Sequence, residues 1–174
     1  MYIIGLNHKT APIEIREKFF LSTSQQDLLL SELKANPSVA EAFVMSTCNR
    51  IEVYVKRVDR SSDMEFIIPL IAKIKKIAFD FDPAKYLYIY KDGQAVDHLM
   101  RVATGIDSLV LGEKQILGQV KSSVERARAL SIISKYFNIL TNVAIRAGKK
   151  AQNETDISCG GSSVSWAAIN MAEE

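Results

Sequence analysis

Along IEVYVK, residues 51–56, apolar and polar residues alternate without a break. Ile51, Val53 and Val55 fall on one face of a strand and Glu52, Tyr54 and Lys56 on the other. YLYIYK, residues 86–91, alternates in the same way and predicts another strand. YIIGLNH (2–8) and EAFVMS (41–46) are short apolar runs bounded by turn-forming residues, the pattern of buried strands. Between them a helix is signalled by Ser22, Thr23 and Ser24, any of which can cap it. Leu29 and Leu33 share one of its faces, and Asn36-Pro37 stops it. Met64, Ile67, Ile68, Ile71, Ile74 and Ala78 recur at helical spacing, with Pro69 expected to kink that helix or shift its start. The order strand, helix, strand, strand, helix, strand predicts an α+β fold: a ferredoxin-like βαββαβ antiparallel sheet with helices on one face.

Beyond residue 91 the period becomes helical. Gln94 to Ala103 predicts one helix after Asp92-Gly93, and a loop follows from Gly105 to Gly112. From about Gln115 to Leu130, Ile116, Val120, Val124 and Ala127 share a face. A longer stripe comprises Ile132, Ile133, Tyr136, Phe137, Leu140, Val143, Ala144 and Ala147. Both stripes read as core. The expected organisation is one domain over residues 1–155, with an α/β core to about 104 and helices over about 114–154. SCGGSS, residues 158–163, reads as a linker, so residues 156–174 are expected to open a second domain, with a last helical run to Glu174.

Composition narrows the class. The chain has 174 residues, 48% apolar and 24% charged, enough for one substantial core and unlike a disordered chain. No apolar run approaches a membrane span, and MYIIGLNHKT lacks the parts of a secretory signal, so a cytoplasmic address is expected. Two cysteines and two histidines make neither a disulfide framework nor a zinc-ligand spacing, and no metal site is expected. Net charge is only +2, yet residues 114–150 hold Lys114, Lys121, Arg126, Arg128, Lys135, Arg146, Lys149 and Lys150 against the single acid Glu125. That surplus suits an anionic partner such as nucleic acid, or simply a solvated helix face.

The candidate chemistry centres on VMSTCNRIEVYV. Cys48 lies between two predicted strands, where a side chain is accessible, and Arg50 beside it favours thiolate over thiol. Arg50 can also hold a substrate carboxylate through its forked donors. Cys48 as a packing residue fits the local sequence equally well. Cys159 stands in a Ser/Gly stretch with no basic residue close by, and nothing there activates it. His98, with Asp97 beside it and Arg101 one turn on, has the chemistry of a general acid or base, though a histidine on a helix is more often structural. His8 fits a role in fixing the turn after it at least as well as a catalytic one. In GIDSLVLGEKQILGQ, residues 105–119, the polar groups Ser108, Glu113, Gln115 and Gln119 surround a glycine-bounded loop. Such a cluster can recognise an amino acid's ammonium and carboxylate, and ordinary helix capping looks much the same. There is no GxGxxG and no GxxxxGK[ST].

Four blocks taken in order, GLNHKTAPIEIREKF, STCNRIEVY, DHLMRVATGIDSLVLGEKQILGQVK and ISCGGSSVSWAA, strongly resemble glutamyl-tRNA reductase. The resemblance covers most of residues 3–168. It implies an NADPH-dependent reduction of glutamyl-tRNA to glutamate-1-semialdehyde through a cysteine thioester, at the start of tetrapyrrole synthesis. It further implies that this is the amino-terminal catalytic domain, with NADPH bound by a Rossmann domain beyond these residues. Dimerisation through a later helical domain is implied too, as is partnership with the glutamate-1-semialdehyde aminomutase. On the matching positions, Cys48 is the nucleophile and His98 the activity-supporting histidine. Thr47, Cys48, Asn49, Arg50, Ser108, Glu113, Lys114, Gln115 and Gln119 bind substrate, with least weight on Lys114, where family members vary. Two other classes fit the residues alone: a tRNA- or protein-binding module without chemistry, and a cysteine hydrolase using Cys48 and His98 as a dyad.

Overall fold

The computed structural model describes residues 1–59, 61 and 64–158; Cys159, most of the expected linker and the last expected helix lie outside the described residues. Four strands, β1 (Tyr2–Asn7), β2 (Val39–Ser46), β3 (Arg50–Arg57) and β4 (Tyr88–Lys91), form one antiparallel sheet in the order β2-β3-β1-β4. This is the ferredoxin-like order that the pattern predicts.

Six helices accompany the sheet among the described residues: α1 (Ile13–Phe19), α2 (Thr23–Ala35), α3 (Ile67–Lys75), α4 (Asp92–Thr104), α5 (Gln115–Ala129) and α6 (Lys135–Glu154). Ser22 starts α2 through a reciprocal capping box: its Oγ accepts from Gln25 N, and Gln25 Oε1 accepts from Ser22 N. Of the two expected effects of Pro69, the structure shows the shifted start. The helix begins at Ile67, which puts Pro69 in the first turn, where an N–H has no intrahelical partner anyway. The short α1 is not announced by its sequence, because IEIREKF alternates as a strand would. Pro12, with φ −65, supplies its N-cap.

α6 starts later than its apolar stripe. Ile132 and Ile133 belong to the preceding connection, where the Ile132 carbonyl accepts from Ala42 N at 3.3 Å. Glu41 of β2 sets the start. Its buried carboxylate accepts from Ser134 N (3.0 Å), Ser134 Oγ (2.6 Å), Tyr136 N (2.9 Å) and Phe137 N (2.8 Å), satisfying the free amides of the first turn. Burial pushes the Glu41 carboxyl up, but these bonds outweigh it and hold the group below its ordinary range.

Register assigns the two faces of the sheet. Tyr2, Ile4, Leu6, Ile51, Val53, Val55, Ala42 and Val44 share one face. Ile3, Gly5, Asn7, Arg50, Glu52, Tyr54, Phe43, Tyr88 and Tyr90 share the other. The second face is covered by the C-terminal helices: Phe137 of α6 meets Phe43 edge-on with ring centroids 5.0 Å apart, and His98 of α4 packs on Tyr88 and Tyr90. α2 packs along β2 and against α3. β1 is buried along its whole length and β3 nearly so, and the polar side of IEVYVK is therefore interior rather than wet.

Gly5 lies on that interior face, paired with Glu52 on one side and Tyr88 on the other. A Cβ there would stand 2.6 Å from the Ile51 carbonyl oxygen and 2.8 Å from Glu52 Cγ. The backbone oxygen cannot yield, so Gly5→Ala is expected to lose about 1–3 kcal/mol of stability, as over-packed interiors do. Urea denaturation checks this; an unchanged midpoint would show that the sheet can relax around the methyl group.

Candidate functional site

The β2–β3 hairpin carries the only cysteine among the described residues, and Cys48 is exposed. Thr47 builds the turn: its N–H donates to the Arg50 carbonyl (2.8 Å), and its Oγ1 accepts from Asn49 N (3.2 Å) and Arg50 N (3.1 Å). Two flanking residues pin the outside. His8 N donates to the Asn49 carbonyl at 3.0 Å, and Arg16 Nε donates to the Cys48 carbonyl at 3.1 Å. Cys48 therefore presents its thiol from a turn whose backbone is tied on both sides. His8 serves that turn through its backbone.

Beneath the turn lies a buried charged network. Arg50 is 1% exposed, and its Nη1 reaches Glu52 Oε1 (3.0 Å) and Asp107 Oδ2 (3.1 Å), while Nη2 donates to the Asp107 carbonyl (2.5 Å). Glu52, fully buried, also accepts from Tyr54 Oη, Tyr88 Oη and His98 Nε2, the last at 2.7 Å. Asp107 further accepts from Lys9 Nζ (2.5 Å) and Asn7 Nδ2 (3.3 Å). Burial drives the Glu52 carboxyl up, but the Arg50 guanidinium and the bond from His98 outweigh it and bring it down to about 2. Glu52 is thus an acceptor-only carboxylate, so Nε2 of His98 carries the proton between them. Burial and the neighbouring Glu52 charge push the Tyr54 and Tyr88 hydroxyls well up, and both stay protonated donors.

This geometry revises the electrostatic expectation for Arg50. Its charge is balanced by two carboxylates, and its main structural work is to join the Cys48 hairpin to the loop after α4. That loop is closed by two glycines in the left-handed region, Gly105 (φ 81) and Gly112 (φ 74), with Gly112 N donating to the Gly105 carbonyl at 3.0 Å. Asp107 takes the arginine, and the next residue, Ser108, faces the hairpin.

A cleft of about 50 Å³ lies between them, lined by Thr47, Cys48, Asn49, Arg50, Ser108, Glu113, Gln115 and Gln119 together with Leu109 and Ile116. Lys114, exposed at the N-cap of α5, is not among the lining residues. Ser108 Oγ is buried and has no hydrogen-bond partner within the chain. A hydroxyl in that state costs free energy unless a ligand completes it. Cys48, Thr47, Gln115 and Gln119 also border a larger groove of about 520 Å³ along α5.

His98 is elsewhere. It is 6% exposed, bonded to Glu52, and lines a separate cavity with Lys9, Tyr90, Asp97, Arg101 and Asp107. Its hydrogen bond goes to Glu52, and Cys48 does not line its cavity, which does not favour a Cys48–His98 dyad. The basic surplus of residues 114–150 lies mostly at the surface: Lys114, Arg128, Lys135, Arg146, Lys149 and Lys150 are exposed, and Arg126 pairs with Asp27 at 3.0 Å. Among the described residues no cluster of His, Cys, Asp and Glu could hold a metal ion, and no helix is long and apolar enough to cross a membrane. Sequence patterns did not single out Glu52, Asp107, Tyr54, Tyr88 or Asn7. The one available signal was a glutamate and a tyrosine on the polar side of a strand that turns out to be central.

Comparison with known proteins gives a consistent result. Residues 4–155 match the family described as glutamyl-tRNAGlu reductase, N-terminal domain. A glutamyl-tRNA reductase of Synechococcus sp. (strain JA-3-3Ab) is 40% identical over 98% of this chain and 39% of its own length. That of Carboxydothermus hydrogenoformans is 40% identical over 99% of this chain and 38% of its own length. The solved glutamyl-tRNA reductase from Methanopyrus kandleri superposes with a TM-score of 0.77 at 31% identity, covering 99% of this chain and 39% of that one. The chain spans about two fifths of the length of these relatives.

Proposed function

Since this chain belongs to the glutamyl-tRNA reductase family, matching its amino-terminal domain, we propose that it takes the glutamyl group of glutamyl-tRNA onto Cys48 as a thioester. This is the covalent half of the reduction to glutamate-1-semialdehyde that opens tetrapyrrole synthesis. The observation that carries the reading is an exposed thiol at the mouth of a cleft whose buried Ser108 hydroxyl lacks a partner.

An aminoacyl ester is already activated, so exchanging it for a thioester needs a well-placed nucleophile more than a strong acid. The Cys48 sulfur attacks the ester carbonyl, the carbon–oxygen bond to the ribose breaks, and the thiol proton ends on the ribose oxygen. In the cleft, the Glu113 carboxylate suits the substrate ammonium. The amides of Asn49, Gln115 and Gln119 and the Ser108 hydroxyl suit the substrate's carbonyl and carboxylate oxygens. Arg50 lines the cleft from beneath, and its positive charge there suits the substrate's side-chain carboxylate. His98 is a positioning residue: with Tyr54 and Tyr88 it holds Glu52, which holds Arg50 under the turn. The exposed lysines and arginines of α5 and α6 suit contacts with tRNA phosphates.

NADPH does not fit the described residues. The sheet is wholly antiparallel, and the 174 residues contain neither GxGxxG nor a P-loop to seat a pyrophosphate on a helix N-terminus. No step of the reduction is therefore assigned to these side chains. The 174-residue polypeptide, given glutamyl-tRNA and NADPH, is expected to become glutamylated and slowly release free glutamate, with no NADPH oxidised. Added salt should slow the loading if phosphate contacts matter. Stoichiometric NADPH oxidation coupled to aldehyde formation would overturn this division of labour.

A further inference from the structure

One wall of the cleft beside Cys48 is held in place from far along the chain. Ser108 and Glu113 line the cleft, Ser108 within the loop that Gly105 and Gly112 close and Glu113 directly after it. Gly105 folds that loop on itself: a Cβ there would stand 3.0 Å from Gly112 Cα. Gly112 admits a different neighbour. After α6 the chain makes one 3₁₀ turn, Asp156–Ser158, and lays it on Gly112, where a Cβ would stand 1.9 Å from the Ile157 carbonyl oxygen and 3.1 Å from Ser158 N. Only a residue without a side chain lets that peptide approach, and a φ of 74 favours glycine as well.

A hydrogen bond fixes the contact. Ser158 Oγ donates to the Gly112 carbonyl at 3.1 Å, while Gly112 N donates to the Gly105 carbonyl at 3.0 Å. Gly112 is buried, so both of its backbone polar groups need partners, and one of these comes from outside the loop. The turn itself is anchored to α6: Thr155 Oγ1 donates to the Ala151 carbonyl (2.6 Å) and accepts from Ile157 N (3.3 Å). Between its two glycines the loop has little cover, with Ile106, Leu109 and Leu111 all exposed. A shift of the Gly112 peptide therefore passes straight to Glu113, the next residue, whose carboxylate suits the substrate ammonium.

We propose that Ser158 is a positioning residue for glutamyl loading: with the Ile157 peptide it clamps the loop at Gly112 and so sets Glu113 and Ser108 opposite Cys48. The inference rests on the thioester reading above. Ser158 stands just past the stretch matched to the amino-terminal domain, residues 4–155. The clamp therefore makes the cleft answer to the chain that leads on from that domain.

Loading is followed by intact mass, without NADPH, from two donors. One is the α-thioester of glutamate with mercaptoethanol; the other is the corresponding glutaryl thioester, which keeps the side-chain carboxylate and lacks the ammonium. In each, the Cys48 sulfur–carbon bond forms as the bond to the mercaptoethanol sulfur breaks, and that sulfur takes up the thiol proton. Wild type should load glutamyl faster than glutaryl. Ser158→Ala should cut this preference about 5-fold, the scale of one hydrogen bond, by slowing glutamyl alone. Ser158→Thr, which keeps the hydroxyl, should restore it. Gly112→Ala, which drives the Ile157 peptide off the loop, should lose at least as much as Ser158→Ala. A Ser158→Ala chain that keeps the wild-type preference, or slows with both donors equally, would overturn the clamp. Wild type loading both donors at one rate would overturn the Glu113 contact through which the clamp acts. Wild type loading neither would remove the thioester reading, and the clamp with it.

Discussion

Replacing Cys48 by serine is expected to abolish glutamyl transfer to the protein while leaving its fold unchanged. The side chain is exposed, and the turn is held by Thr47 Oγ1, by the backbone N–H of His8 and by the Arg16 side chain, none of which uses the sulfur. Serine keeps the shape of the turn but replaces a thiol with a hydroxyl that is almost never ionised at neutral pH, and no base beside Cys48 is placed to activate it. The rate of adduct formation should fall by roughly 10³-fold or more, the scale on which loss of a nucleophile is felt. Cys159→Ser should load normally, because its Ser/Gly surroundings offer no activating group. Single-turnover loading followed by intact mass reads both variants. Equal loss in the two would sink the assignment to Cys48.

The second large effect concerns stability. Arg50→Ala removes the guanidinium from Glu52, which is fully buried, and from Asp107, which is nearly so. Breaking one partner out of a buried ion pair leaves an uncompensated charge and costs about 3–5 kcal/mol, a large share of the stability of an ordinary domain. Arg50→Lys should also be impaired, in stability and in loading, because one ammonium cannot span Glu52 Oε1, Asp107 Oδ2 and the Asp107 carbonyl together. The same network predicts the acid response. The Glu52 carboxyl is held at about 2, below its ordinary 4.5, and the Asp107 carboxyl is lowered too, burial being outweighed by Lys9 and Arg50. Groups lowered on folding bind fewer protons in the native state, so their contribution is complete above about pH 5 and drains away as pH falls toward 2. For Glu52 the difference between the two values corresponds to about 3 kcal/mol. Urea denaturation from pH 6 down to pH 2.5 should show this loss in wild type and a shallower slope in Arg50→Ala. Parallel slopes would mean that Arg50 does not set the Glu52 carboxyl.

Much of the frame was legible from periodicity, and the failures have physical causes. IEVYVK and YLYIYK announce strands because a pleated strand sends alternate side chains to opposite faces. The same alternation says nothing of whether the polar face meets water, since that depends on which other elements cover it. Glu52 and Tyr54 look solvated in sequence, yet both are buried, and Glu52 lies under His98 of α4 beside Gly5, whose lack of a side chain leaves room for it beside the strand. Arg50 was legible as a functional residue but not as one already engaged by two carboxylates, because Asp107 comes from a loop 57 residues away. The α6 start was not legible from its apolar stripe for a similar reason: its first-turn amides are satisfied by Glu41, on a strand, rather than by a residue of the local sequence. Thr47 to Arg50, Ser108, Glu113, Gln115 and Gln119 do meet around one cleft. The motifs that carry the family resemblance held those positions together before any geometry was available, while composition and spacing alone left Cys48 divided between nucleophile and packing residue.

The most direct test of the central claim is peptide mass mapping of the wild-type chain after brief exposure to glutamyl-tRNA and an acid quench. The account predicts one glutamyl addition, on the peptide containing Cys48, removable by hydroxylamine as a thioester is. A chain that binds the tRNA yet shows no glutamyl mass on Cys48, or carries it on another residue, would contradict it.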